Sequence, residues 1–110
     1  MNLKLNIRLT GEDKLPFVIG GHPAFNCPLA KGEKFEDYKV VFDKNITKPC
    51  LRPNHHTGLV NVFEKFDEMH GGDTLSLVHE LFEEKDALIF ENCEAKSATL
   101  IGKSGKGVKI

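Results

Sequence analysis

His22 stands directly after two glycines and directly before a proline, in the run Phe17-Val18-Ile19-Gly20-Gly21-His22-Pro23-Ala24-Phe25-Asn26. The glycines admit backbone conformations closed to residues with a Cβ and let a ligand come close. Pro23 fixes its own φ and removes a donor, so the imidazole is held on a stiff corner. A ring that titrates near neutrality, the flat apolar face of Phe25 and the carboxamide of Asn26 are tools suited to a sugar. The competing reading is a β-corner whose histidine is merely hydrogen-bonded, with Phe25 in the core and Asn26 capping a turn.

Other chemistry-bearing residues read more plainly. His55-His56, close to Cys50, invites a metal, but adjacent side chains on a strand point to opposite faces and chelate poorly, so a surface turn is expected. His70-Gly71-Gly72-Asp73 reads as a turn, His79 as a strand end beside Glu80, and Glu83-Glu84 as solvent-facing. No metal site is expected. No phosphate loop, Walker motif or nucleophile elbow is present, and the residues imply no cofactor.

The elements that must position these residues are strands. Leu3, Leu5, Ile7 and Leu9 alternate with Asn2, Lys4, Asn6 and Arg8, and a turn at Gly11-Glu12-Asp13-Lys14 leads to a second strand over Leu15–Ile19. Residues 3–19 therefore predict a hairpin. Further strands are expected at Tyr38–Phe42, Lys48–Leu51, Gly58–Phe63 and Thr74–Val78, with one helical turn at Glu80–Glu84. Ala87–Phe90 is expected to pair with Ala98–Ile101, and Gly102–Gly107 to turn into Val108-Lys109-Ile110. Many short strands at close spacing predict an all-β, antiparallel β-sandwich.

At 110 residues the chain holds one domain, and strands that start and stop at its ends read as a piece of something larger. Such a sheet leaves edges open to self-association. The formal net charge of −1 gives no footprint for nucleic acid. Lys85, Lys96, Lys103, Lys106 and Lys109 read as a solvated face. No apolar run is long enough for a membrane span and no signal-peptide core is visible, so no membrane partner is expected. Cys27, Cys50 and Cys93, odd in number and far apart, read as buried thiols in a reducing cytoplasm.

The string Phe17 to Leu29 resembles the aldose 1-epimerase (mutarotase) family, closest to its bacterial LacX-like branch. The resemblance continues through Gly32–Tyr38, Leu81-Phe82 and Asp86-Ala87-Leu88-Ile89-Phe90 to Ser97–Leu100, and is weakest between Lys44 and Asp73. It implies that residues 1–110 are the central section of a galactose-mutarotase-like supersandwich. It further implies that His22 is the general acid on the ring oxygen of a small-molecule sugar, and that Asp86 grips sugar hydroxyls. The family's general base would lie beyond Ile110, and its other histidine and its arginine before Met1. Gly21 before His22 and Ala24 where tyrosine is usual depart from the commoner branch and leave the sugar open.

Interconverting α and β anomers requires a base at the C1 hydroxyl and an acid at the ring oxygen, with the roles reversed on closure. A group that serves in both directions works best with a pKa near the working pH, which suits histidine. Each placed proton-transfer partner contributes roughly 10²–10⁴-fold, so a chain without the base is expected to be nearly inactive. A second reading is a carbohydrate-binding β-sandwich without turnover. A third is a structural fragment that dimerises through an apolar edge.

Overall fold

The computed structural model describes residues 4–83 and 86–110. A 3₁₀ turn at Phe35–Asp37 leads into β1 (Tyr38–Phe42), followed by β2 (Thr74–Ser76), a single helical turn α1 (Glu80–Glu83), β3 (Ala98–Gly102) and β4 (Gly107–Lys109). The strands form one open antiparallel sheet in the order β2-β1-β3-β4. Antiparallel β-structure with almost no helix is thus what forms, as one sheet among the described residues rather than two stacked ones.

The register explains the sheet's two faces. Val40 pairs with Leu75 and with Leu100, and Leu100 with Val108, so four aliphatic side chains line up on one face. Tyr38, opposite Gly102, and Phe42, opposite Ala98, extend that face along β1. Lys39, Thr74, Ser76, Thr99 and Lys109 alternate onto the other. On the apolar face burial is deepest on the β2–β1 side, while Leu100 and Val108 are only half-buried. On that deeper side Ile46, Met69 and Leu75 are 2%, 4% and 8% exposed and form the core, with Val40, Phe42, Leu81, Leu88, Phe90 and Ala95 packed around it.

The long β1–β2 and β2–β3 connections supply that cover and are tied to each other. Asp43 Oδ1 accepts from the Lys96 amide at 2.9 Å, and the Glu94 carboxylate accepts from the amide and hydroxyl of Thr47 at 3.1 and 2.9 Å. The expected strands at 48–51 and 58–63 shrink to isolated bridges, Cys50 with Phe66, Leu51 with Ile89 and Pro53 with Val60. Pro49 and Pro53 lack the donors a continuous ladder needs.

Two other expectations are corrected. Ala87–Phe90 does not pair with Ala98–Ile101: Ile89 bridges Leu51, while β3 lies between β1 and β4. Packing Leu100 and Ala98 beside Val40 and Phe42 favours the distant partner over the near one. Residues 4–19 form no hairpin, and Leu3 lies outside the described residues. Leu5, Ile7, Leu9, Leu15, Phe17 and Ile19 are 49–63% exposed, so no apolar surface supports the pairing, and two strands alone are marginal in water. The radius of gyration reflects this: 16.9 Å, against about 13 Å for a compact chain of this length.

The smaller expectations fare better. β1, the hairpin into Val108–Ile110 and the helical turn form, with β2 confined to Thr74–Ser76. Residues 55–57 and 70–71 are turns, and His79 is the turn residue directly before α1 rather than a strand end. Glu83 is exposed; Glu84 and Lys85 lie outside the described residues. Lys96, Lys103, Lys106 and Lys109 are exposed as expected. The thiols are all free but differ: Cys50 is buried, Cys27 intermediate and Cys93 exposed, which corrects the expectation of three buried ones. Among the described residues, no helix is long and apolar enough to cross a membrane.

Candidate functional site

The segment carrying His22 reaches the sheet through a polar knot built on Tyr38. This ring is 2% exposed, yet its hydroxyl is fully used. It accepts from the amides of Leu29 and Ala30 at 2.6 and 3.1 Å and donates to Glu33 Oε2. Glu33 Oε1 in turn accepts from the Ser104 amide at 2.9 Å, across the β3–β4 turn. These bonds, led by that from Tyr38, hold the Glu33 carboxyl below its ordinary range, while burial first and Glu33 second raise Tyr38. The adjacent Asp37 carboxylate accepts from Lys103 Nζ at 2.7 Å and from the Lys34 amide at 2.8 Å, which lowers its pKa.

Upstream of this anchor the chain is exposed. His22 and Asn26 are exposed and lie outside any regular element, and neither makes a hydrogen bond among the described residues. Phe25, 44% exposed, lies over the sheet, where it lines a shallow apolar hollow with Val40, Ala98, Leu100, Val108 and Ile110. That face suits the apolar side of a pyranose as well as it suits another side chain. The burial of β1's other half and the hollow beside Phe25 are therefore parts of one apolar face, half covered and half open.

Asp86 is placed elsewhere. Its side chain is 70% exposed and its Oδ1 lies 3.8 Å from Nδ1 of His55. The His55 and His56 rings meet edge to face at 5.2 Å, in a turn whose amides at His56 and Thr57 are capped by Asn54 Oδ1 at 3.0 Å. Among the described residues no hydrogen bond, ion pair or ring contact joins His22, Phe25, Asn26 and Asp86 to one another.

Three arrangements escaped the sequence reading. Arg52, with a side chain 7% exposed, meets Glu68 Oε1 at 2.6 Å and donates to the Leu81 carbonyl at 2.7 Å, with its guanidinium over the Phe66 ring at 5.6 Å. Among the described residues its Nε has no hydrogen-bond partner. An arginine between Leu51 and Pro53 in an apolar stretch was the available signal. Second, His79 stacks on Phe35 at 4.6 Å with Nε2 3.4 Å from Glu36 Oε1. The third is the Glu33–Tyr38 knot. Among the described residues no group of three or more histidine, cysteine, aspartate or glutamate side chains is placed to hold a metal ion.

Over 105 residues, 93% of this chain, the sequence is 37% identical to LacX of Lactococcus lactis subsp. lactis, in its plasmid and its chromosomal form alike. This chain is homologous to LacX proteins. It spans 34% of the length of these curated LacX relatives. The likeness to LacX expected from residues 17–29 is borne out, and it runs through the segments of both His22 and Asp86. The LacX names state no activity. No family model matches the sequence, and no solved structure matches it.

Proposed function

We propose that this chain is the central section of an aldose 1-epimerase-like protein of β-sandwich architecture, acting on a small-molecule sugar in the cytoplasm. The observation that carries the reading is the ordered pair of motifs, His22-Pro23-Ala24-Phe25-Asn26 and then Asp86-Ala87-Leu88-Ile89-Phe90. Homology to LacX over 93% of the chain supports it, because both motifs fall in the shared region. In the proposed reaction His22 protonates the ring oxygen while a base outside this chain removes the C1 hydroxyl proton. The ring opens to the aldehyde, C1–C2 rotates, and closure on the other face returns both protons. Phe25 and Asn26 contact the sugar, and Asp86 accepts bonds from its hydroxyls.

The test is anomer interconversion by NMR saturation exchange on several aldoses. It compares this chain, a version extended at both ends, and the extended version with His22→Ala. Faster exchange only in the extended form, lost on His22→Ala, is the expected result. Unchanged exchange in His22→Ala removes the assignment of the acid.

A second reading, a sugar-binding domain without turnover, draws on the separation of the candidates: Asp86 contacts His55 rather than His22. Sugar resonances that broaden with no rate enhancement in the extended form favour it.

A further inference from the structure

We infer that His55 is a positioning residue for Asp86: its imidazole holds one carboxylate oxygen so that the other is presented to a sugar hydroxyl. The inference rests on the assignment of Asp86 made above, and it applies with or without turnover. Nδ1 of His55 lies 3.8 Å from Oδ1 of Asp86, and the two side chains are 54% and 70% exposed, so a ligand reaches both. An ionised carboxylate accepts at two oxygens. An N–H of the imidazole takes one and leaves Oδ2 for the sugar. A separation of 3.8 Å is longer than a hydrogen bond, and contacts of this kind commonly tighten only when the ligand is bound.

The backbone, rather than the pair itself, brings these side chains together. An exposed ion pair alone holds two side chains only weakly. Here Asp86 is bracketed by two ties to the stretch that leads into His55. Ahead of it, the Leu81 carbonyl in α1 accepts from Arg52 at 2.7 Å; after it, Ile89 and Leu51 exchange both backbone hydrogen bonds at 2.9 Å. Leu51 is 3% exposed, and the Arg52 guanidinium is set against Glu68 and Phe66, so both ties start from buried points. From there the chain turns tightly. The Asn54 amide donates to the Leu59 carbonyl at 2.8 Å, and Gly58, at a φ of 67°, returns its amide to the Asn54 carbonyl at 2.7 Å. With Asn54 Oδ1 capping the next amides, His55 is carried on a built turn and not on a loose loop. The other carboxylate-paired histidines differ. His70 meets Asp67 of its own turn, and His79 lies on Phe35 beside Glu36, so neither faces a residue assigned to the sugar.

Sugar affinity in the protein extended at both ends tests the inference. The probes are D-glucose, D-galactose, D-xylose and L-arabinose, titrated by NMR with saturation exchange measured beside them. His55→Ala is expected to weaken binding by about three- to fivefold and to leave any exchange rate at saturation unchanged. His55→Asn, whose amide nitrogen stands in for Nδ1, is expected to restore most of the affinity. In the Asp86→Asn background His55→Ala is expected to cost nothing more, because His55 acts through that carboxylate. His70→Ala, which breaks a comparably exposed pair at 3.9 Å, is the control and should change nothing. Unchanged affinity in His55→Ala or in Asp86→Asn overturns the inference, and so does failure of His55→Asn to restore binding. An equal loss with and without the Asp86 carboxylate makes His55 an independent contact and overturns it too. Each of these leaves the epimerase reading standing, since that is decided by the exchange rate in His22→Ala. An extended protein that binds none of the four sugars overturns both.

Discussion

A Cβ placed on Gly102 would lie 2.6 Å from Cζ of Tyr38, its register partner across β1 and β3. The Tyr38 ring therefore rests directly on the backbone of the neighbouring strand, and glycine is required there for space rather than for its dihedral freedom. The same built Cβ would come 2.8 Å from Glu33 Oε2, so one missing side chain makes room for both members of the knot.

Gly102→Ala is expected to destabilise the chain by about 1–3 kcal/mol, since the ring and the carboxylate must both move. Urea unfolding checks it. A loss within a few tenths of a kcal/mol would mean that Tyr38 has an alternative seat. Tyr38→Phe keeps the packing but strands the Leu29 and Ala30 amides, and is expected to lower stability and free residues 29–33 for exchange.

Acid should unfold the protein through its bonded carboxylates. Glu33 and Asp37 have folded values below their ordinary 4.5 and 3.8. Their contribution is therefore present above those values and lost as pH falls from them through the folded values. Tyr38 and Lys103 are raised above 10.0 and 10.5, so theirs is present below those values and lost as pH rises through the folded ones. Denaturation midpoints across pH should show both limbs, and Glu33→Gln should flatten the acid one.

Arg52 and Glu68 are expected to behave as a pair. Glu68→Ala leaves a guanidinium that is 7% exposed without its anion; because Glu68 itself is partly exposed, the cost should be about 2–3 kcal/mol rather than the full value for a buried pair. Arg52→Met should cost less, since it removes the charge together with the unpartnered Nε. The double variant should be more stable than the sum of the singles implies, and a double-mutant cycle measures the difference.

Thiol labelling should proceed in the order Cys93, Cys27, Cys50. Burial raises Cys50, and burial first and Glu33 second raise Cys27, so both present less thiolate near neutrality than an exposed thiol. Timed alkylation followed by peptide mapping reads the order. Cys50 labelling as fast as Cys93 under native conditions would contradict the buried placement.

Asp86→Asn in the extended protein should weaken sugar binding by about tenfold or more if the carboxylate accepts from hydroxyls. Titration of the sugar, with the exchange rate at saturation measured beside it, separates a gripping role from a proton-transfer one. Unchanged affinity would leave Asp86 as the partner of His55 alone.

By itself the sequence determined what depends on neighbours along the chain. Short apolar runs rich in β-branched and aromatic residues marked Tyr38–Phe42 and Ala98–Ile101, glycines and polar residues marked the turns, and the string around His22 marked the resemblance, because these signals are local. Pairing is not local. Alternation at Leu5–Leu9 is more regular than at β1, yet only β1 finds Leu75 and Leu100 beside it, and a strand without a covered face does not hold. The tertiary structure alone decided that Ile89 meets Leu51 and that Asp86 stands by His55. It alone buried Arg52 against Glu68 and seated Tyr38 on Gly102. Each of these joins residues at least a dozen positions apart, where closing the loop and packing the pair, rather than residue preference, set the outcome.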